Sequence, residues 1–214
     1  MLKPAASLLM IFLCLAAPAQ KTAPPEPDLS YYSVSPSFEY HHRYNSIGQV
    51  DFRNLELNIF DAKGKVRVQA KLKDGVYETS GMPRDWVALN GISYFDFQAG
   101  KPRYAVVSFL WTWTGADASS YGGVQLFTIQ NGFLTVVQQL FFTARHAGAG
   151  AIFDSATGVL LVSSSHYLQV DAHCCPSRQD VIRYVWSGHD FRQAGVKTYP
   201  VAGPPNLRIR KPRE

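Results

Sequence analysis

The stretch Val124-Gln-Leu-Phe-Thr-Ile-Gln-Asn131-Gly132-Phe-Leu-Thr-Val-Val-Gln-Gln-Leu-Phe-Phe142 decides the fold class. Val124 to Ile129 and Phe133 to Phe142 are rich in β-branched and aromatic residues, which suit a pleated, half-buried surface. Between them stands Asn131-Gly132, a pair that accepts the two successive positive φ values of a type I′ turn. The segment reads as a β-hairpin.

The same grammar extends outward. Tyr104 to Thr114 is apolar on both faces and so predicts a central strand. Val66, Val68, Ala70 and Leu72 alternate with charged or amide residues, the period of a strand with one wet face. Val50 and Phe52 give way to Leu55, Leu57 and Ile59, a parity switch near Arg53-Asn54 that predicts a bulge or turn. Further turns fall at Ala62-Lys63-Gly64, Lys73-Asp74-Gly75, Thr157-Gly158 and Ser187-Gly188. No long helical period and no repeat of fixed length appears, which argues against a propeller. Roughly eight to ten short strands without crossover helices predict an all-β (or β-rich α+β) chain, a single antiparallel sandwich or barrel-like domain over residues 37–198.

The ends read differently. Residues 1–19 carry Lys3, an apolar run from Ala5 to Ala16 and Ala17-Pro18-Ala19 before Gln20, the three zones of a secretory signal peptide. The run falls short of the roughly 20 apolar residues that span a bilayer, and no later stretch reaches that length. Lipidation at Cys14 fits poorly, because Ile11-Phe12-Leu13 precede it and the apolar stretch continues through Leu15-Ala16-Ala17. The mature chain is expected to be secreted or periplasmic, with no transmembrane segment. Residues 20–36 hold Pro24, Pro25, Pro27 and Pro36 and read as a proline-rich linker. Residues 199–214 form a basic, solvated tail carrying Arg208, Arg210, Lys211 and Arg213. From Gln20 to Asn206 there are 16 basic and 15 acidic residues, so the basic character of the chain lives in the tail and no nucleic-acid partner is expected. Aromatic residues at 13% and apolar ones at 46% exclude a wholly disordered chain.

Chemistry is sparse. Cleavage would leave Cys174 and Cys175, neighbours in an oxidising compartment. Three fates compete: a strained bond between the two, a metal site helped by His166, His173 and His189, or free thiols and links to another chain. Adjacent side chains diverge, whereas structural zinc sites space their cysteines by about two to four residues. Cys175 before Pro176 is expected to be extended. His41 and His42 point to opposite faces if they lie on a strand. Ser163-Ser164-Ser165-His166 has no nucleophile elbow, and no Gly-x-Ser-x-Gly motif occurs. Glu39, Glu56 and Glu78 have no spacing that selects a glycosidase pair. Trp111 and Trp113 share a strand face with Phe109, either as a sugar-stacking platform or as core. No glycine-rich phosphate loop is present.

Several segments together resemble a family of small exported bacterial proteins of unknown function, some of them lipid-anchored in mycobacteria. They are Val50-Asp51-Phe52-Arg53-Asn54, Leu72 to Glu78, Tyr94 to Val107, Val124 to Val137, and Cys174-Cys175-Pro176-Ser177 followed by Arg183-Tyr184-Val185-Trp186. The Cys-Cys-Pro-Ser/Thr piece is the distinctive one. In relatives the Tyr94 to Val107 region looks like an acidic turn suited to calcium. Here Asp96 remains, but Gly100 stands at the second acidic position, with Ala99 and Lys101 in place of its flanking glycines. The resemblance implies export and a β-rich domain and assigns no activity.

The sequence thus leads to an exported, non-catalytic binding or envelope-associated β domain of unknown ligand, with an envelope polymer or protein as the partner class. The rival is a secreted hydrolase, or a redox or metal-binding protein, that uses the Cys174/Cys175 loop. Candidate residues are Cys174 and Cys175 as a disulfide or thiol site and Trp111, Trp113, His166 and His173 as binders; no catalytic residue, resident metal or cofactor is assigned.

Overall fold

The computed structural model describes residues 31–80, 84–114, 119–145, 149–172 and 175–201. The expected signal peptide, its cleavage site, most of the linker and most of the basic tail lie outside the described residues. Thirteen strands run in chain order: β1 (Tyr31–Val34), β2 (Phe38–Arg43), β3 (Glu56–Phe60), β4 (Val66–Lys71), β5 (Val76–Glu78), β6 (Arg84–Gln98), β7 (Lys101–Thr114), β8 (Ser119–Gln130), β9 (Phe133–Thr143), β10 (Gly150–Asp154), β11 (Val159–His166), β12 (Arg178–Trp186) and β13 (Phe191–Pro200). Short 3-10 turns occupy Ile47–Gln49 and Phe52–Asn54, and no α-helix occurs among the described residues. The second of these turns sits where the apolar parity switches.

A seven-stranded antiparallel sheet in the order β1-β9-β8-β7-β6-β5 forms the middle layer, with β2 beside β1 on the outer edge of β9. β7 is central, as its two apolar faces require. Ala105, Val107, Phe109 and Trp111 point to one side with Tyr121, Phe127 and Phe141 and pack on the β3–β4 hairpin and the 3-10 turns. Tyr104, Val106, Val124, Leu126, Leu140 and Phe142 point to the other and meet Leu160, Val162, Ile182 and Tyr184 of a four-stranded sheet, β10-β11-β12-β13. The domain is therefore a sandwich of antiparallel sheets with a core on each face of the large sheet.

The hairpin at Asn131-Gly132 has φ values of +53° and +85°, the double positive φ of a type I′ turn. A second turn of this kind, Ala99-Gly100 at +50° and +74°, joins β6 to β7. Only the family resemblance points to a turn there, because alanine rarely adopts positive φ and gives no local warning. The strands are also more numerous and longer than expected, with β6 spanning 15 residues. Tyr31–Val34, within the expected linker, pair with Gln139–Phe142 as β1. Tyr32 stacks on Phe141 at 4.9 Å and donates to Phe60 O at 2.7 Å, contacts that outweigh the pull of the nearby prolines.

Candidate functional site

Burial sorts the expected site residues. Trp111 is 2% exposed, donates from Nε1 to Asp85 Oδ1 at 2.8 Å, stacks on Tyr121 at 5.3 Å and is covered by the Arg67 guanidinium at 4.8 Å. A ring enclosed on both faces offers no platform to a sugar, so Trp111 belongs to the core. Trp113 is half-buried and packs on that same core. Trp111 is thus a packing residue, and the period of the stripe alone could not separate the two roles.

At the other end of the chain, β11, β12 and β13 bring polar groups together. His166 Nδ1 lies 2.9 Å from Asp180 Oδ2, and Thr198 Oγ1 donates to Asp180 Oδ1 at 2.6 Å. The Asp180 carboxylate is buried while the imidazole stays one-third exposed. The loop after His166 is closed by Asp171, whose Oδ2 accepts from Leu168 N at 2.8 Å, Ser177 N at 2.9 Å and Ser177 Oγ at 3.0 Å. The Ser177 amide, followed by that of Leu168, holds the Asp171 carboxyl below the usual carboxylate range. Cys175 is exposed and disulfide-bonded, and its amide donates to Ala172 O at 2.9 Å. His173 and Cys174 lie outside the described residues. Asp171 and Asp180 escaped notice because no motif marks them; the one available signal for Asp171 is the tendency of aspartate to close a local turn.

A larger concavity lies at the tips of the hairpins β6–β7 and β8–β9. There an open groove of about 560 Å³ runs between Asn45-Ser46-Ile47, Gln98-Ala99 and Lys101 to Tyr104 of the first hairpin, and Thr128-Ile129-Gln130 of the second. Its position follows from the turns. Tyr44 N bonds to Gly132 O at 2.8 Å, which ties the chain after β2 to the second tip. Thr128 Oγ1 bonds to Arg103 O at 2.9 Å, which joins the two hairpins. Ile47, 1% exposed, anchors one wall in the core.

Lys101 and Arg103 are the groove's cations. Asp96, at φ +53°, sits 3.6 Å from Arg103 in a pair whose side chains are 31% and 48% exposed, so water screens it. Arg103 also leans on the Tyr104 ring at 5.6 Å. Phe97, the chain neighbour of Gln98, is 62% exposed, an unusual position for a phenylalanine. Asn45, Gln98 and Gln130 bring amides and Ser46 and Thr128 hydroxyls, while Ala99, Pro102, Tyr104 and Ile129 complete the lining. Among the described residues, no group of three or more His, Cys, Asp or Glu is placed to hold a metal ion. No helix among them is long and apolar enough to cross a membrane.

No protein-family model, no curated protein and no solved structure matches this chain.

Proposed function

We propose that this chain is an exported, non-catalytic domain that binds an acidic, hydroxyl-rich envelope polymer along the groove at the two hairpin tips. One observation carries this reading: Lys101 and Arg103 line an open groove whose walls also carry the amides of Asn45, Gln98 and Gln130 beside the apolar Ile47, Pro102 and Ile129, and Phe97, the chain neighbour of Gln98, is exposed. Ammonium and guanidinium groups recognise carboxylate or phosphate, the guanidinium in a two-pronged fashion. Amides and hydroxyls suit sugar hydroxyls, and an exposed ring can stack on a sugar face. The loose Asp96–Arg103 pair supports it too, since an incoming acidic group can displace a screened partner at small energetic cost.

Polygalacturonate is the test ligand, with neutral dextran as control. Calorimetric titration of the mature protein is expected to give binding that weakens as salt rises from about 50 to about 300 mM, the range over which the screening length shortens. Lys101→Ala with Arg103→Ala is expected to weaken it by roughly tenfold or more, about 1.4 kcal/mol. Equal binding by the double variant, or no binding by the parent, would remove the proposal.

A second reading rests on the His166–Asp180 pair, since a buried carboxylate that orients an accessible imidazole is an arrangement also used in general-base catalysis. It requires turnover of an ester or amide probe that His166→Ala abolishes and the groove variants leave alone. On either reading we assign Cys174 as the partner of Cys175. Alkylation without reduction should then leave the monomer's mass about 2 Da below the dithiol value, as formation of one disulfide removes two hydrogens.

A further inference from the structure

Halfway along β6 the ladder with β7 slips: Leu89 pairs with Phe109 and Gly91 with Ser108, leaving Asn90 as a bulge. β5 pairs with β6 only at Trp86–Ala88, so from Gly91 onward no described strand covers the outer edge of β6. Directly inside this edge the space between the two large sheets is unfilled. A cavity of about 130 Å³ lies there, walled by Val106, Val124 and Leu160 with Phe153, and opening past Asn90, Ser93 and Ser108.

The cause is compositional. Facing sheets stack about 10 Å apart, a gap that medium or large side chains fill. At this level the large sheet offers Gly91, Ser93 and Ser108, and β10 offers Ala151. The sheets cannot close on the space, because neighbouring rings prop them open: Phe95 meets Phe153 at 4.8 Å and Trp186 at 5.0 Å. The deep wall is apolar and buried, with Val106, Val124 and Leu160 at 3%, 1% and 0% exposure. The mouth is polar and uncharged.

We infer that this cavity is a binding site for a small neutral amphiphile, a single ring or branched chain bearing one hydroxyl. An apolar cavity of about 150 Å³ takes up benzene, so a single six-membered ring is the largest body that fits here, with one or two small substituents placed in the open mouth. Its apolar body would lie against Val106, Val124 and Leu160, and its hydroxyl would reach Ser93, Ser108 or Asn90. A charged ligand is disfavoured, since none of the described residues lining the space is ionisable and burying an unpaired charge is costly.

The probes are p-cresol and toluene, added to methyl-labelled mature protein. p-Cresol is expected to shift the methyl resonances of Val106, Val124 and Leu160 in a saturable way, with a dissociation constant of about 1 mM or tighter. Toluene should bind more weakly, and Ser93→Ala with Ser108→Ala should erase that difference. Ala151→Leu, which puts a side chain into the cavity, should weaken p-cresol roughly tenfold or more while the protein stays folded. Should that variant fail to fold, Ser108→Val fills the space from the opposite wall and must give the same loss. Absence of methyl shifts up to the solubility limit, or shifts that a folded filled variant retains, would overturn the inference.

Discussion

Gln138 and Gln139 are consecutive, point to opposite faces of the large sheet and perform one task twice. Gln139 donates to Phe60 O at 2.7 Å and accepts from Phe60 N at 3.0 Å, clipping β3 to one face. Gln138 donates to Phe191 O at 2.9 Å and accepts from Phe191 N at 2.8 Å, clipping the start of β13 to the other. Each amide imitates the backbone of a neighbouring strand and so satisfies buried groups that no ladder reaches. The surroundings differ. Gln139 is 0% exposed and linked to Gln125, which in turn donates to Asn58 O at 2.6 Å, while Tyr32 also serves Phe60 O. Gln138 also donates to Ser33 Oγ at 2.9 Å, and its face holds the cavity behind β6. The difference teaches that one face is sealed by a connected polar network, whereas the other is held by an amide clip and a propped ring cluster that leaves room for a guest.

The hardest way to break the comparison is through Gly122 and Gly123, also consecutive and also opposed. A Cβ on Gly122 would fall 2.2 Å from the Phe142 ring, and one on Gly123 2.1 Å from the Phe109 ring. Valine at either site is expected to cost about 4 kcal/mol in chemical denaturation, because an enclosed ring must leave its place. Gly123→Val should be the worse, since Phe109 lies on the sealed face. Smaller losses follow from the clips: about 3 kcal/mol for Gln139→Leu and about 2 kcal/mol for Gln138→Leu, as each strands buried backbone groups. Equal losses would mean that the Gln125 link adds nothing.

Alkaline titration sharpens the same contrast. Burial pushes Tyr40, on the sealed face, and Tyr184, on the other, up to about 12. Their unfolded value is about 10, so both stabilise the fold fully below about pH 10, and this contribution is lost as pH rises through about 12. Their phenolate absorbance should therefore appear together with unfolding. Tyr184→Phe is expected to move that transition to higher pH; Tyr40→Phe should do so less, because Asn58 N loses its phenolic acceptor at 3.3 Å. Phenolate formation by both tyrosines near pH 10 in folded protein would contradict the burial. The smallest effect belongs to the hairpin tip. Gly132 sits at φ +85°, and a Cβ added there would meet nothing within 4 Å, so Gly132→Val should cost about 1 kcal/mol from backbone strain alone.

How much of this was legible follows from which residues carry it. The Asn131-Gly132 turn, the central β7 and the Phe52–Asn54 switch were open to reading, because periodicity and turn chemistry are local properties. The three-layer arrangement was not, since the parity of β7 does not say which sheet covers which face. Gln125, Gln138 and Gln139 look like solvent-facing amides until the layers that bury them are known. The groove was half visible: the 94–107 region stood out, but Lys101 and Arg103 gain meaning only when Thr128 brings the second hairpin beside the first. Trp111, the most conspicuous candidate, was drawn to notice by its size and is core for that same reason. His166 found its partner Asp180 through a strand pairing that sequence spacing does not encode.

The most direct test of the binding account is a map of where an acidic oligosaccharide perturbs the backbone amides of the mature protein. Titration with trigalacturonate is expected to shift Gln98, Lys101, Arg103, Thr128 and Gln130 progressively, to leave Ser165 to Ser177 unmoved, and to lose these shifts in the Lys101→Ala, Arg103→Ala variant. Shifts centred on His166 and Cys175, or shifts at the tips that survive removal of both cations, would contradict it.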